Sequence, residues 1–218
     1  MTLRLKYFST QPLYERINKL YSPKAFKITD EKIIEEFIAK NPFAILVSEN
    51  NGKIEVTHLP INRFKDGKLY GHVAKANIHS NIDEEKEVCF IFNGEHAYIS
   101  PTYYETSFNV PTWNYSTVHI YGNIKCIDDT EKVWELLNET TEIYEGQNGW
   151  KLPQEEKFKD LMKFIRFFEI NVTNIEAKFK FNQNKTQEDI EKVIQSLRDK
   201  EQIEVANFME HITKQSSQ

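Results

Sequence analysis

Six histidines are the first residues whose type could carry chemistry. His58, His72, His79, His96 and His119 fall on or near apolar, alternating runs, and His211 lies near the C-terminus. None forms a His-x-x-x-His pair and no Cys-x-x-Cys accompanies them, so zinc-ligand spacing is missing and no metal ligand is assigned. Taken singly, each is most simply an imidazole satisfied by backbone partners at a strand end. Nucleophilic catalysis has no better support. Ser100 and Ser107 sit outside any G-x-S-x-G elbow, and neither Cys89 nor Cys126 carries a cue for thiolate activation. The acidic pairs Glu84-Glu85 and Glu155-Glu156 read as solvated helix faces. G-x-G-x-x-G and G-x-x-x-x-G-K-[ST] are both absent, and seven glycines leave little for a phosphate-cradling loop. No catalytic residue is assigned.

What stands out is a set of polar and aromatic residues where strands end. THLP, residues 57–60, places the Thr57 hydroxyl and the His58 imidazole ahead of a proline expected to end strand pairing. GHVAKANIHS, residues 71–80, leaves a strand through Ala74-Lys75-Ala76-Asn77 and enters a short helix near His79. Such an exit gathers backbone N–H groups, an ammonium and an amide, which suits a phosphate. VPTWNYSTVHIYG, residues 110–122, crowds Trp113, Asn114 and Tyr115 before an alternating run. That crowd is either a corner of the core or a wall that holds something flat and polar, and periodicity leaves both open. For each stretch alone, an ordinary turn is the plain alternative.

The elements that position these residues are mostly strands. TDEKIIEEFIAKNP predicts a helix capped by Thr29, with Ile33, Ile34, Phe37 and Ile38 on one stripe. FAILVSE, KIEVTHLPINRF, KLYGHVA, EVCFIFNGEHAYIS and STVHIYGNIKCID predict five strands, with hairpin turns at Asn50-Asn51-Gly52 and Lys65-Asp66-Gly67. So many strands, with tight turns and few helices between them, predict an antiparallel barrel with peripheral helices, mainly β within the α+β class. DDTEKVWELLNETTEIYEGQ and QEEKFKDLMKFI predict two helices. RFFEINVTNIEAKFKF then predicts one or two strands with an irregular middle, and a charged helical region runs on from Thr186. The expected organisation is an extension over 1–20, the main domain over 21–200 and a helical tail over 201–218.

Composition bounds the partners. The chain has 218 residues, with 28 Lys and Arg against 33 Asp and Glu, a formal charge of −5. That is long enough for a core without disulfides, and it gives no global attraction to nucleic acid or anionic lipid. Cys89 and Cys126 lie in apolar runs and read as buried thiols of a reducing compartment, with a single bridge as the alternative. No secretory h-region or membrane-length apolar run is visible, so a cytoplasmic protein with no membrane partner is expected.

The stretches YSPKAF, VTHLP, GHVAKAN, FNGEHAYISPTYY, VPTWNY and KFNQNKTQED occur in the order found in the PaiB-like family of FMN-binding negative transcriptional regulators, which the chain resembles from Tyr21 to about Leu197. The pairing of HAYISP with VPTWNY is the specific part. The resemblance implies a flavin-mononucleotide-binding split barrel and a homodimer with FMN in the cleft between subunits. It implies a phosphate site at Lys75 with Asn77 and His79 nearby, and contributions from Thr57 and His58. Trp113, Asn114 and Tyr115 become a wall of the flavin cleft or of its dimer partner. Lys180, Gln183 and Asn184 become second-tier polar contacts at the late strand end. Many oxidase relatives use arginine where this chain has lysine, which removes a bidentate clamp. A flavin-binding regulator is therefore expected, in which FMN is a tightly held ligand and turnover is secondary. An FMN-dependent oxidoreductase like the pyridoxamine phosphate oxidases is the alternative, and a haem-binding barrel the third reading. DNA remains a partner without a helix-turn-helix pattern or basic stripe to support it.

Overall fold

The computed structural model describes residues 20–215 of the chain. The expected extension over 1–20 therefore lies, but for Leu20, outside the described residues. Seven strands and five α-helices follow in order: β1 (Lys27–Ile28), α1 (Glu31–Lys40), β2 (Phe43–Asn50), β3 (Lys53–Arg63), β4 (Leu69–Ala74), β5 (Val88–Ile99), β6 (Thr112–Ile127), α2 (Thr130–Glu145), α3 (Glu156–Leu161), β7 (Ile165–Lys180), α4 (Gln187–Asp199) and α5 (Ile203–Gln215). All strand pairings are antiparallel. Six strands close on themselves in the order β7-β4-β3-β2-β5-β6 and back to β7, with β1 added at the edge of β7. This is the α+β antiparallel barrel that the strand runs predict.

Alternation decides what lies inside. On β2, Ala44, Leu46 and Ser48 are buried while Phe43, Ile45 and Val47 face outward. The interior is aromatic: Phe90, Phe92, Phe168, Phe179 and Phe181 are fully or almost fully buried, and each contributes about 1.5–3 kcal/mol by leaving water. α1 closes over this core with Ile34, Phe37 and Ile38, and Phe37 meets Phe179 at 4.9 Å between ring centroids. The β2–β3 hairpin turns on Asn51 and Gly52, at φ 51° and 76°, residues that tolerate the left-handed region a tight hairpin needs.

Three sequence expectations change and one open alternative closes. Helix α1 is capped by Asp30 and not Thr29: the Asp30 carboxylate accepts from the backbone N–H groups of Lys32 and Ile33 at 2.9 and 3.2 Å. An aspartate one residue closer to the first turn reaches the N-terminal donors directly. Pro60 does not end strand pairing, since it lies opposite Phe43 and β3 runs on to Arg63. The chain there changes partner from β2 to β4, where Ile61 faces Gly71, so the missing N–H falls at the exchange. The stretch from Ile165 to Lys180 is one strand, whose irregular middle is a bulge at Thr173: Tyr121 faces Asn174 and Gly122 faces Val172. The charged tail is two helices broken at Glu201, at φ 61°. Their apolar faces pack into the main core through Ile190, Val193, Leu197, Ala206, Met209 and Ile212.

Candidate functional site

At one end of the barrel, β4 exits through Lys75 and Asn77 into a 3-10 turn over Ile78–Asn81. Its centre is His79, which is 1% exposed. Ser48 Oγ lies 3.0 Å from His79 Nε2, and Thr57 Oγ1 lies 2.7 Å from Nδ1. Thr57 also donates to Asn77 Oδ1 at 3.1 Å, and the His79 backbone N–H donates to the same oxygen at 2.9 Å. For a neutral ring, only one proton assignment satisfies the set. Ser48 donates to Nε2, Nδ1–H donates to Thr57, and Thr57 passes its own proton to Asn77. Burial pushes the ring's pKa below the usual histidine value, with Glu55 opposing, and so favours the neutral form.

This network spends the acceptors and spares the donors. Asn77 Oδ1 is fully engaged, while its Nδ2 has no partner among the described residues. Lys75 is exposed, and its ammonium makes no hydrogen bond or ion pair among the described residues. The Lys75 backbone is pinned through its N–H to Phe164 O at 2.7 Å and through its carbonyl, which accepts from Ser80 Oγ at 2.7 Å. Asp128, whose charge Lys75 feels, is taken by Arg166 through two hydrogen bonds of 3.0 and 2.6 Å. Arg166 also donates to Ser80 O at 2.6 Å, fixing the turn from below. The result is a rigid exit with an uncommitted ammonium and amide N–H beside it. Of the residues expected here, Thr57, Lys75, Asn77 and His79 come together. His58 does not: it is exposed on the opposite face of β3, with its ring 6.2 Å from that of Phe43.

The second group lies at the start of β6. Trp113 is 56% exposed, with its ring 6.2 Å from Tyr98 and 6.3 Å from His96. Asn114 is wholly buried; its Nδ2 meets Met209 Sδ at 3.7 Å and its Oδ1 has no partner. Tyr115 lies under the Lys178 ammonium, 5.2 Å from the ring centroid. Lys180 donates to Thr112 Oγ1 and, at 2.8 Å, to Trp113 O, so it clamps the first residues of β6. Burial and then the charge of Lys178 lower its pKa. Gln183 caps the turn after β7 by accepting from Phe181 N and donating to Phe179 O, at 2.7 and 2.5 Å. Asn184 is exposed. The wall-or-corner question thus divides by residue: Trp113 faces out, Asn114 packs in.

Within the chain the two groups do not meet. Thr57 pairs with Leu46, Leu46 with Phe90 and Phe90 with Ile120, seven residues along β6 from Trp113. That is roughly 20 Å of strand. Between them spreads an outward face carrying Phe43, Ile54 and Val56, which are 65%, 76% and 51% exposed, beside half-buried Ile45, Val47 and Ile91.

Sequence reading missed Ser48, Arg166, Asp189 and Lys178. Ser48 sits inside the apolar run FAILVSE, and only its inward register reveals it. Asp189 looks like a helix-start charge; it also accepts from Glu105 N, Thr106 N and Thr106 Oγ1 at 3.0–3.1 Å, holding the loop before Trp113. Cys89 and Cys126 are free thiols, so the bridge alternative falls. No helix among the described residues is long and apolar enough to cross a membrane.

Comparison with known proteins places this architecture. Residues 20–174 match the family described as "Putative FMN-binding domain". The chain is 35% identical over 190 residues to the protease synthase and sporulation protein PAI 2 of Bacillus subtilis, covering 84% of this chain and 91% of that one. An uncharacterised protein of Emericella nidulans is 26% identical over 210 residues, or 74% of this chain and 84% of its own. Among solved structures, the flavocytochrome Anf3 of Azotobacter vinelandii superposes with a TM-score of 0.57 at 15% identity, covering 71% of this chain and 69% of its own. An FAD- and heme-binding protein of Mycobacterium smegmatis reaches 0.55 at 12% identity, over 71% and 73%. At these identities the two structures speak for the shared barrel fold.

Proposed function

The chain belongs to the PaiB-like family of FMN-binding domains that its residues 20–174 match, and from that premise we propose that it is a regulatory flavoprotein holding FMN between two identical subunits. FMN is the cofactor, and the donor set at the β4 exit fits it. The observation that carries the reading is the His79 network, which consumes Asn77 Oδ1 and leaves the Lys75 ammonium and Asn77 Nδ2 facing outward. A dianionic phosphate asks for such a set: donors available, acceptors turned away, the neighbouring carboxylate neutralised. His79 then acts as a positioning residue, because both of its ring nitrogens are already engaged. When bound, FMN supplies a ring that can accept a hydride or single electrons.

A second subunit supplies the missing wall. The outer face of β2 and β3 groups the exposed side chains of Phe43, Ile54 and Val56, and grouped exposed apolar residues suit a contact surface. Pairing two such faces brings the Trp113 corner of one subunit toward the Lys75 exit of the other. The regulatory reading rests on the family and on the lack of an acid–base pair at this exit. A cytoplasmic setting suits the two free thiols. DNA contact, if it occurs, would use a surface assembled in the dimer.

The test is spectroscopic. Purified protein titrated with FMN should show stoichiometric flavin bands, and Lys75→Ala should weaken binding about tenfold or more. Lys65→Ala, which removes a turn lysine paired with Glu142, should leave it unchanged. Equal effects refute the phosphate assignment, and absence of flavin bands refutes the cofactor reading. Val56→Asp should turn a dimer into a monomer by light scattering and lose FMN with it. Steady NADH consumption would favour the oxidoreductase, a Soret band the haem reading, and a gel shift at stated salt would bring in DNA.

A further inference from the structure

Past its bulge, β7 turns Asn174, Glu176, Lys178 and Lys180 away from the core, since a strand shows alternate residues to one face. Lys178 is only 6% exposed, which is rare for an ammonium without a carboxylate. Its Nζ donates to Tyr21 O at 2.8 Å and lies over the rings of Tyr21 and Tyr115, 5.3 and 5.2 Å from their centroids. It forms no ion pair among the described residues. Glu176, next along that face, accepts from Leu20 N at 2.7 Å. Lys27 of β1 stands directly opposite Lys178 and adds a like charge. Rings and one carbonyl hold the Lys178 cation without cancelling its charge, and the next side chain on its face is Lys180.

Lys180 is partly exposed and pairs with Tyr115 across β6 and β7. Its Nζ donates to Thr112 Oγ1 and to Trp113 O. Those two acceptors take both N–H bonds of a neutral amine, so its lone pair is left as the free tetrahedral direction. Tyr115 faces it from β6, and His96 and Tyr98 of β5 border the Trp113 ring beside it; none is a carboxylate. Burial, and then Lys178, already favour the neutral form of Lys180. A desolvated lysine beside a second cation is a known source of a nucleophilic amine.

We propose that Lys180 is a reactive amine that captures a 2-oxo acid as an imine. Nζ attacks the carbonyl carbon and a C–N bond forms. The carbonyl oxygen leaves as water with the two amine hydrogens. A proton from solvent then gives the iminium, whose single N–H donates to Trp113 O. The acid's carboxylate is drawn by the charges of Lys178 and Lys27, so an uncharged carbonyl compound is favoured less. The proposal does not depend on FMN.

Full-length protein is treated with glyoxylate and cyanoborohydride near neutral pH, and the modified lysines are mapped by peptide mass spectrometry. Lys180 should gain a carboxymethyl group at least about tenfold faster than an exposed lysine such as Lys53, since each unit of lowered pKa multiplies the free amine about tenfold. Its rate should also level off at a lower pH than that of Lys53. Lys178→Met keeps the side-chain length without the charge; it should move the Lys180 midpoint upward and slow its labelling several-fold, which a purely structural lysine would not do. Lys180→Arg should lose this label and no other. The preference for Lys180 over Lys53 should be larger with glyoxylate than with acetaldehyde. The proposal is overturned if Lys180 of the unaltered protein labels no faster than Lys53, a comparison that needs no variant to fold. It is also overturned if Lys178→Met, folded by its melting curve, keeps the original midpoint. An equal preference with acetaldehyde refutes the 2-oxo acid class.

Discussion

At the scale of single residues, His79 shows how a ligand site can be built by a group that never touches the ligand. Removing its ring in His79→Ala takes away the partner of the Ser48 hydroxyl and one of the two partners of Thr57, while Asn77 keeps its bonds from Thr57 and from the residue-79 backbone N–H. The expected outcome is a stability loss of about 2–4 kcal/mol in urea melts, from lost packing and unmet hydroxyls, with weaker FMN binding. His58→Ala, on the exposed face of the same strand, should change stability by under about 0.5 kcal/mol. A similar stability for the two variants would dissolve the positioning role. Lys75, Asn77 and His79 were legible because a lysine and an amide crowd a strand exit in the sequence. Ser48 and Arg166 were not, since both arrive from strands distant in sequence and register alone aims them. Asn114 was legible as unusual but not as buried, because a strand start looks the same whichever face it turns inward.

Among elements, β6 and β7 carry the design through their bulges and the loop before them. Gly122 sits opposite the extra residue Thr173, and a Cβ there would run into the Asn171 carbonyl. Backbone cannot yield as a side chain can, so Gly122→Ala should cost more than about 2 kcal/mol by chemical denaturation. A cost within error of zero would mean that the bulge is soft. Asp189 ties loop 105–106 to the start of α4 through hydrogen bonds that also hold its carboxyl below the usual carboxylate range. Asp189→Asn should therefore speed amide exchange at Glu105 and Thr106 markedly, and unchanged protection would show that the loop holds itself. The sequence announced the bulge as an irregular middle in an otherwise alternating run. It did not announce the break between α4 and α5, because Glu201 carries no glycine or proline signature for its positive φ.

For the whole molecule, one buried imidazole and two half-buried ones bias the response to acid. His72, His79 and His119 all have pKa values lowered by burial, with Glu176 opposing at His119. The unfolded chain takes up protons near pH 6.5 while the folded chain does not, so stability is lost as pH falls through that value. Asp128, Glu142, Asp189 and Glu210 are held low by their partners and add their own loss only nearer pH 4 and below. Melting temperature should accordingly drop between pH 7.5 and 5.5; a flat profile there would contradict neutral buried rings. The barrel itself was legible from five strand runs and their turns. Its closure was not, because the closing strand lies beyond two intervening helices.

That closing strand has a consequence for the chain as it is made. β7 bonds to β4, β6 and β1, yet it begins at residue 165. A nascent chain that has emerged only through α3 holds β4 and β6 as two open edges at once, with an aromatic interior between them. Such edges recruit one another across molecules. Release of the chain before Lys180 should thus yield aggregates, and holdase chaperones should engage it most strongly in the interval between synthesis of β6 and of β7.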